Sequence, residues 1–191
     1  MVGTSGTGES WRWQTIVRTM FPMLLVLVVI VLFAGIRLEE AEVLLERYPI
    51  LSVMVPTMVA MGGNLGAILS ARLTTRFHLG TTTLDPRDRV LWANVLAILA
   101  LAATLFTALA AGAAVLGLFI DSQAGIPQLF AISLLSGFSL ALIAIAFSFG
   151  TTYASYRLGI DPDDTTIPIV TNVVDVFGMV IFLGVSRLIL G

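Results

Sequence analysis

One charge inside an otherwise neutral, apolar stretch constrains this chain more than any other feature. Five long segments, 20–36, 49–71, 90–120, 126–156 and 166–186, carry no charged residue except Asp175 in the last. About 20 apolar residues suffice for a helix to cross the hydrocarbon core, and in lipid each backbone N–H and C=O has to be satisfied inside the segment. The pattern therefore predicts an all-α integral membrane protein with five transmembrane helices per chain. The third and fourth segments exceed one crossing and are expected to tilt or protrude. The short connection 121–125 between them predicts an antiparallel hairpin. Residues 20–191 read as one membrane domain behind a juxtamembrane segment, 1–19. The first span is not expected to be a removed signal sequence, because Phe33 stands where a small residue is wanted.

Composition excludes several functional classes. Charged residues make up 12% of the chain, against roughly 25% in soluble domains. The net charge of −2, without a run of like charge, gives no electrostatic footprint for nucleic acid. Cysteine is absent and His78 is the only histidine, so a metal ion has to be met by oxygen ligands. Ser136-Gly137 has no histidine base within the membrane, and an enzymatic function is not expected.

The arginines are unevenly divided. Arg12, Arg18, Arg72, Arg76, Arg87, Arg89 and Arg157 fall on one side of the five-span arrangement, and Arg37, Arg47 and Arg187 on the other. The positive-inside rule then predicts a cytoplasmic N-terminus and an outside C-terminus in a multi-pass protein of the cell membrane. Trp11 and Trp13 read as anchors at the lipid headgroups. Segment 38–48, with Glu39, Glu40, Glu42 and Glu46, reads either as a short amphipathic surface helix or as a solvated connector.

Candidate chemistry concentrates in two spans. A carboxylate well inside a span costs roughly 2.5 to 3.5 kcal/mol even on gentle insertion scales, and faces a bundle interior or an aqueous cavity. Asp175 lies on a stripe with Pro168, Thr171, Asn172, Gly178 and Phe182 at helical spacing. Pro168 leaves a carbonyl near Asp164 without its helical donor. The second span holds Gly62-Gly63-Asn64-Leu65-Gly66, a small-residue seam suited to close helix approach, with Asn64 as a polar group for a pore wall or an interhelical bond. Asp161, Asp163 and Asp164 stand before the fifth span, where they can concentrate cations at a cytoplasmic entrance or serve as helix caps. The polar residues of the third and fourth spans, including Asn94, Thr104, Ser133, Ser139 and Ser148, read as packing contacts.

The ordered pair of motifs, Gly63-Asn64-Leu65-Gly66 early and Asp161-Pro162-Asp163 through Pro168, Thr171, Asp175 and Gly178 late, resembles the membrane domain of MgtE-type magnesium transporters, which solute carrier family 41 shares. The run Leu69-Ser70-Ala71-Arg72-Leu73-Thr74-Thr75 is similar to the solute-carrier form. The resemblance implies a homodimer with a divalent-cation pathway between two units, lined by the second and fifth spans. In it the carboxylate of Asp175 and the backbone carbonyl of Thr171 meet a partly hydrated ion, Mg2+ first among the candidates. It also implies that Gly63, Asn64, Gly66, Pro168, Asn172 and Gly178 belong to the pore region. The sequence departs from bacterial members at Ile68, where they often have glutamine, and shows no cytosolic sensor domain ahead of the first span. Two other readings stand beside this one: a proton- or sodium-coupled exporter in which Asp175 titrates, and a non-transporting assembly subunit whose polar stripe only joins helices.

Overall fold

The computed structural model describes residues 13–80, 87–120 and 123–191; Trp11, Arg12 and Asp121 lie outside them, as does the Asp163 side chain. Six helices follow one another: α1 (Trp13–Glu39), α2 (Glu42–Arg47), α3 (Pro49–His78), α4 (Arg89–Leu116), α5 (Ile126–Leu158) and α6 (Pro162–Leu190). All but α2 are long and apolar enough to cross a membrane, which makes this a five-span, all-helical membrane protein. The described residues contain no strand.

Local chemistry sets the ends. Pro49 and Pro162 open α3 and α6 at positions whose N–H would have no helical acceptor. Asp88 caps α4 by accepting from the Val90 N–H at 2.8 Å. The Arg76 guanidinium, 2.8 Å from its other oxygen, and that Val90 N–H hold Asp88 below the usual carboxylate range. α5 ends at Gly159, whose φ of 68° lies in the left-handed region that glycine adopts without strain.

These ends depart from the expected ones for physical reasons. α6 begins at Pro162 rather than at residue 166, because acids in a first turn are favoured by the helix dipole and do not interrupt it. Asp163 and Asp164 consequently lie within the first turn and do not cap it. α3 continues past residue 71 to His78, carrying Arg72 and Arg76 out of the apolar zone. α4 stops at Leu116, four residues before the apolar run does, with Gly117 as its C-cap. The 38–48 segment contains a true helix, α2, between the ends of α1 and α3.

α6 packs on α1, α3 and α5, while α4 closes the bundle against α3 and α5. The α3–α6 seam is knobs on glycine. Val170 and Val174, both fully buried, lie over Gly66 and Gly62, and Leu140 and Ala144 of α5 complete the contact. Gly137 of α5 lies beneath the Phe106 ring of α4, and Ser133 Oγ donates to the Phe106 carbonyl at 2.7 Å. Ser70 Oγ donates to Ser148 Oγ at 3.0 Å, and Ser148 Oγ to the Gly66 carbonyl at 3.3 Å. These hydroxyls are interhelical glue, as expected of them. At the far end, Tyr48 Oη donates to the Leu190 carbonyl and Arg187 to the Glu40 carbonyl, fixing the α1–α2–α3 connection to the end of α6.

Candidate cation site

Asp175 lies in the middle third of α6, one residue past the Val174 knob. That offset turns its carboxylate off the packed seam and along the flank of α3. There it meets Gly63: a Cβ built on that glycine would sit 3.0 Å from Asp175 Oδ1. The early and late motifs therefore touch through one glycine and one aspartate. Gly62 and Gly66 belong to the packed seam, where Gly66 lies under Val170. Gly178 is likewise buried against Leu140 and Val59.

A cleft of about 670 Å³ opens beside the carboxylate, lined by Leu38, Leu45, Ser52, Val55, Pro56, Val59, Ala60, Met179 and Asp175 itself. Asp175 makes no hydrogen bond or ion pair with another described residue. Among the described residues no interhelical bond to an amide or hydroxyl compensates its burial. The α3 side of the cleft belongs to an exposed stripe of Ser52, Pro56, Ala60, Asn64, Ile68 and Ala71 that none of the described helices covers.

Several expected site residues stand apart from the carboxylate. Thr171 Oγ1 donates to the Ile167 and Pro168 carbonyls, and Asn172 Nδ2 donates to the Pro168 carbonyl at 2.8 Å, so both side chains are turned back onto α6. Asn64 follows Gly63 on the exposed stripe but does not line the cleft. Asp161 and Asp164 lie about 16 Å or more along α6 from Asp175 at 1.5 Å per residue. Asp161 Oδ1 is 3.3 Å from His78 Nε2, which joins the start of α6 to the end of α3, and Asp164 is exposed.

The acids nearest the cleft are instead at the α2 end. A second depression of about 780 Å³, lined by Glu39, Glu42 and Glu46 with Gly35 and Pro49, shares Leu38, Leu45 and Ser52 with the Asp175 cleft. Its sequence signal was the spacing of Glu39, Glu42 and Glu46, three and then four residues apart, which puts them on one side of a helical path. Among the described residues no group of three or more histidine, aspartate or glutamate side chains is arranged to hold a bare metal ion.

A carboxylate inside a span of a helical bundle, facing a cleft, marks a functional site of a membrane protein. The family model MgtE, described as a divalent cation transporter, matches residues 55–185, and the chain belongs to that family. The match runs from the first turns of α3 to the last turns of α6, and so includes both Gly63 and Asp175. Divalent cation transport, with magnesium as the principal cargo, is the activity of this membrane domain's family.

Proposed function

We propose that two copies of this chain form a magnesium pathway between them, lined by the exposed stripe of α3 and by α6, in which Asp175 binds the partly hydrated ion. One observation carries this reading: a carboxylate deep in a span, with no partner among the described residues, opens into a cleft on an exposed helix face. Burying such a group is unfavourable unless something outside the chain compensates it. Magnesium gives up its water reluctantly and is usually held by one or two carboxylates through a nearly complete hydration shell. A two-fold axis along the α3 stripe supplies a second Asp175 without any further acid. The Thr171 carbonyl, one helical turn before Asp175, is assigned to the same ion's water shell, and Asn64 to the wall beside it.

The acidic depression next to the cleft, whose electrostatic field raises the local cation concentration, serves as the outer mouth. The arginine-rich ends of α3 and α4 then face the cytoplasm and the C-terminus lies outside the cell membrane. Asp161, Asp163 and Asp164 are assigned to the cytoplasmic exit.

The deciding experiment is magnesium flux into proteoliposomes. Asp175→Asn keeps the side chain's size and removes its charge. It should lower flux more than about a hundredfold, since even groups one shell removed from a metal are worth 10–100-fold. Wild-type flux through a folded Asp175→Asn protein would overturn the assignment. Magnesium flux that stopped unless a proton or sodium gradient were imposed would instead identify the coupled exporter.

A further inference from the structure

The opposite end of α3 carries a second polar site that the cation pathway does not use. Where α3 and α4 diverge, Ala71, Arg72, Thr75, Arg76, Val90 and Asn94 line a pocket of about 440 Å³. Asn94 is 6% exposed, and its amide is fully committed: Nδ2 donates to the Val90 carbonyl at 2.8 Å, and Oδ1 accepts from Arg72 Nη1 at 2.9 Å. A buried amide whose nitrogen is tied to the carbonyl one turn back and whose oxygen accepts from a guanidinium is a positioning device. Asp88, at the start of α4, is engaged by Arg76 and by the α4 N-terminus. Arg72 has no carboxylate within ion-pair distance among the described residues, and Asn94 contributes no charge. The pocket thus presents an oriented cation whose remaining donors face outward.

Its depth in the membrane identifies the class of anion. Val90 and Trp92, on the first turn of α4, are 52% and 53% exposed, and Leu96 and Leu101 continue an exposed apolar surface from there down the helix. A tryptophan at a span's edge marks the headgroup level, and the apolar strip below it is where acyl chains lie. Basic pockets between helices at this level suit anionic lipid headgroups, and a guanidinium fork matches two oxygens of one phosphate. We infer that the α3–α4 pocket binds the phosphate of an anionic phospholipid, with Arg72 as its principal ligand and Asn94 as the residue that orients Arg72. A lipid seated there braces the arginine-rich end of α3, the helix whose middle carries Gly63.

The test uses the purified full chain in zwitterionic detergent, with native mass spectrometry and thermal unfolding as readouts. The probes are phosphatidylglycerol, phosphatidylcholine and inorganic phosphate. Phosphatidylglycerol should be retained and should raise Tm, while phosphatidylcholine and inorganic phosphate should do neither. Arg72→Ala should weaken phosphatidylglycerol retention about tenfold or more, the usual size of a lost charge-assisted bond, and Asn94→Ala should weaken it by a smaller factor. Arg47→Ala, at the far end of the molecule, should leave it unchanged. Arg72→Gln, which can still donate to Asn94, takes the place of the alanine variant if that variant fails to fold. Equal retention by the wild type and either Arg72 variant would overturn the inference. So would an equal Tm rise with inorganic phosphate, which would make the ligand a free anion. Dissociation of a dimer in Arg72→Ala with lipid retention intact would instead place Arg72 between copies.

Discussion

The two faces of α3 use the same small residues for opposite ends. On one face Gly62 and Gly66 let α6 approach until Val174 and Val170 rest on the α3 backbone, and nothing of that face reaches solvent or lipid. On the other, Ser52, Pro56, Ala60 and Asn64 stay exposed, and at their border a carboxylate oxygen approaches Gly63. A glycine under a valine is explained by packing. A glycine under an unpartnered carboxylate is explained only by whatever else that carboxylate meets. The two faces should therefore respond oppositely to the same kind of change.

The largest separation is expected from bulk on the open face. Ala60→Trp adds a side chain on the exposed stripe at the open edge of the cleft, so the fold of the single chain should be kept, while magnesium flux should fall about tenfold or more because the cleft and the proposed two-fold contact are filled. Flux and size-exclusion mass measured on the same preparation check this. Since the chain has no cysteine, Ala60→Cys introduces its only thiol. Oxidation should yield a covalent dimer if two such residues approach within about 7 Å between Cα atoms. An Ala60→Trp protein that transports normally would show that the open face belongs to lipid.

Gly66→Ala probes the packed face. Its new methyl would sit 2.6 Å from Val170 Cγ1, and a β-branched side chain on a helix has little rotamer freedom with which to retreat. Overpacking of this kind costs about 1–3 kcal/mol. Helix propensity alone would favour the alanine by roughly 1 kcal/mol, so the sign of the change in Tm shows which effect wins. A fall is expected. Gly62→Ala should lower Tm as well, because its methyl would meet the buried Leu140 side chain and, at 3.0 Å, Val174 Cγ1.

Much of this arrangement could be read from the sequence, and what could not be read has a common cause. The membrane spans and the hairpin follow from where charge is absent, and the place of Asp175 inside the last span from the one charge that remains. The start of α6 did not, because Asp163 and Asp164 look like a boundary when charge is used as the marker, although acids stabilise a first turn. Nor did the division between Gly62, Gly63 and Gly66. A small-residue seam shows that something approaches closely but not which residue approaches, and that depends on the rotation of α6, set by Val170 and Val174. Glu39, Glu42 and Glu46 were visible as an acidic, amphipathic segment, but their place beside the Asp175 cleft depends on α2 folding back over the start of α3. The Asn94–Arg72 bond joins residues 22 apart on different helices, so Asn94 looked like an ordinary polar residue in a span.

Gly63→Ala sharpens the contrast between neighbours. Its methyl would press on Asp175 Oδ1 from 3.0 Å, and a carboxylate can yield by a few tenths of an ångström where a packed valine cannot. The fold should therefore gain the helix-propensity term, up to roughly 1 kcal/mol, while the shifted carboxylate should lower flux a few-fold, as small displacements at a binding centre do. Tm and flux would thus move in opposite directions at residue 63, and Tm would fall at residue 66. If both substitutions lowered Tm, Gly63 would belong to the packed seam and its contact with Asp175 would be incidental.

The smallest effect belongs to the polar contacts within the packed face. Ser148 lies fully buried between Ser70 Oγ and the Gly66 carbonyl, so Ser148→Ala removes one hydroxyl from each and leaves the Ser70 donor without its acceptor. Interhelical hydrogen bonds in membranes average only about 0.6 kcal/mol, because the separated helices find other partners, and Ser70 can turn its hydroxyl back to its own helix as Thr74 does. A loss of about that size in Tm, with flux unchanged, is expected. A large drop in flux at constant Tm would place the Ser70–Ser148 pair on the ion's route and remove the distinction between a face that only packs and a face that conducts.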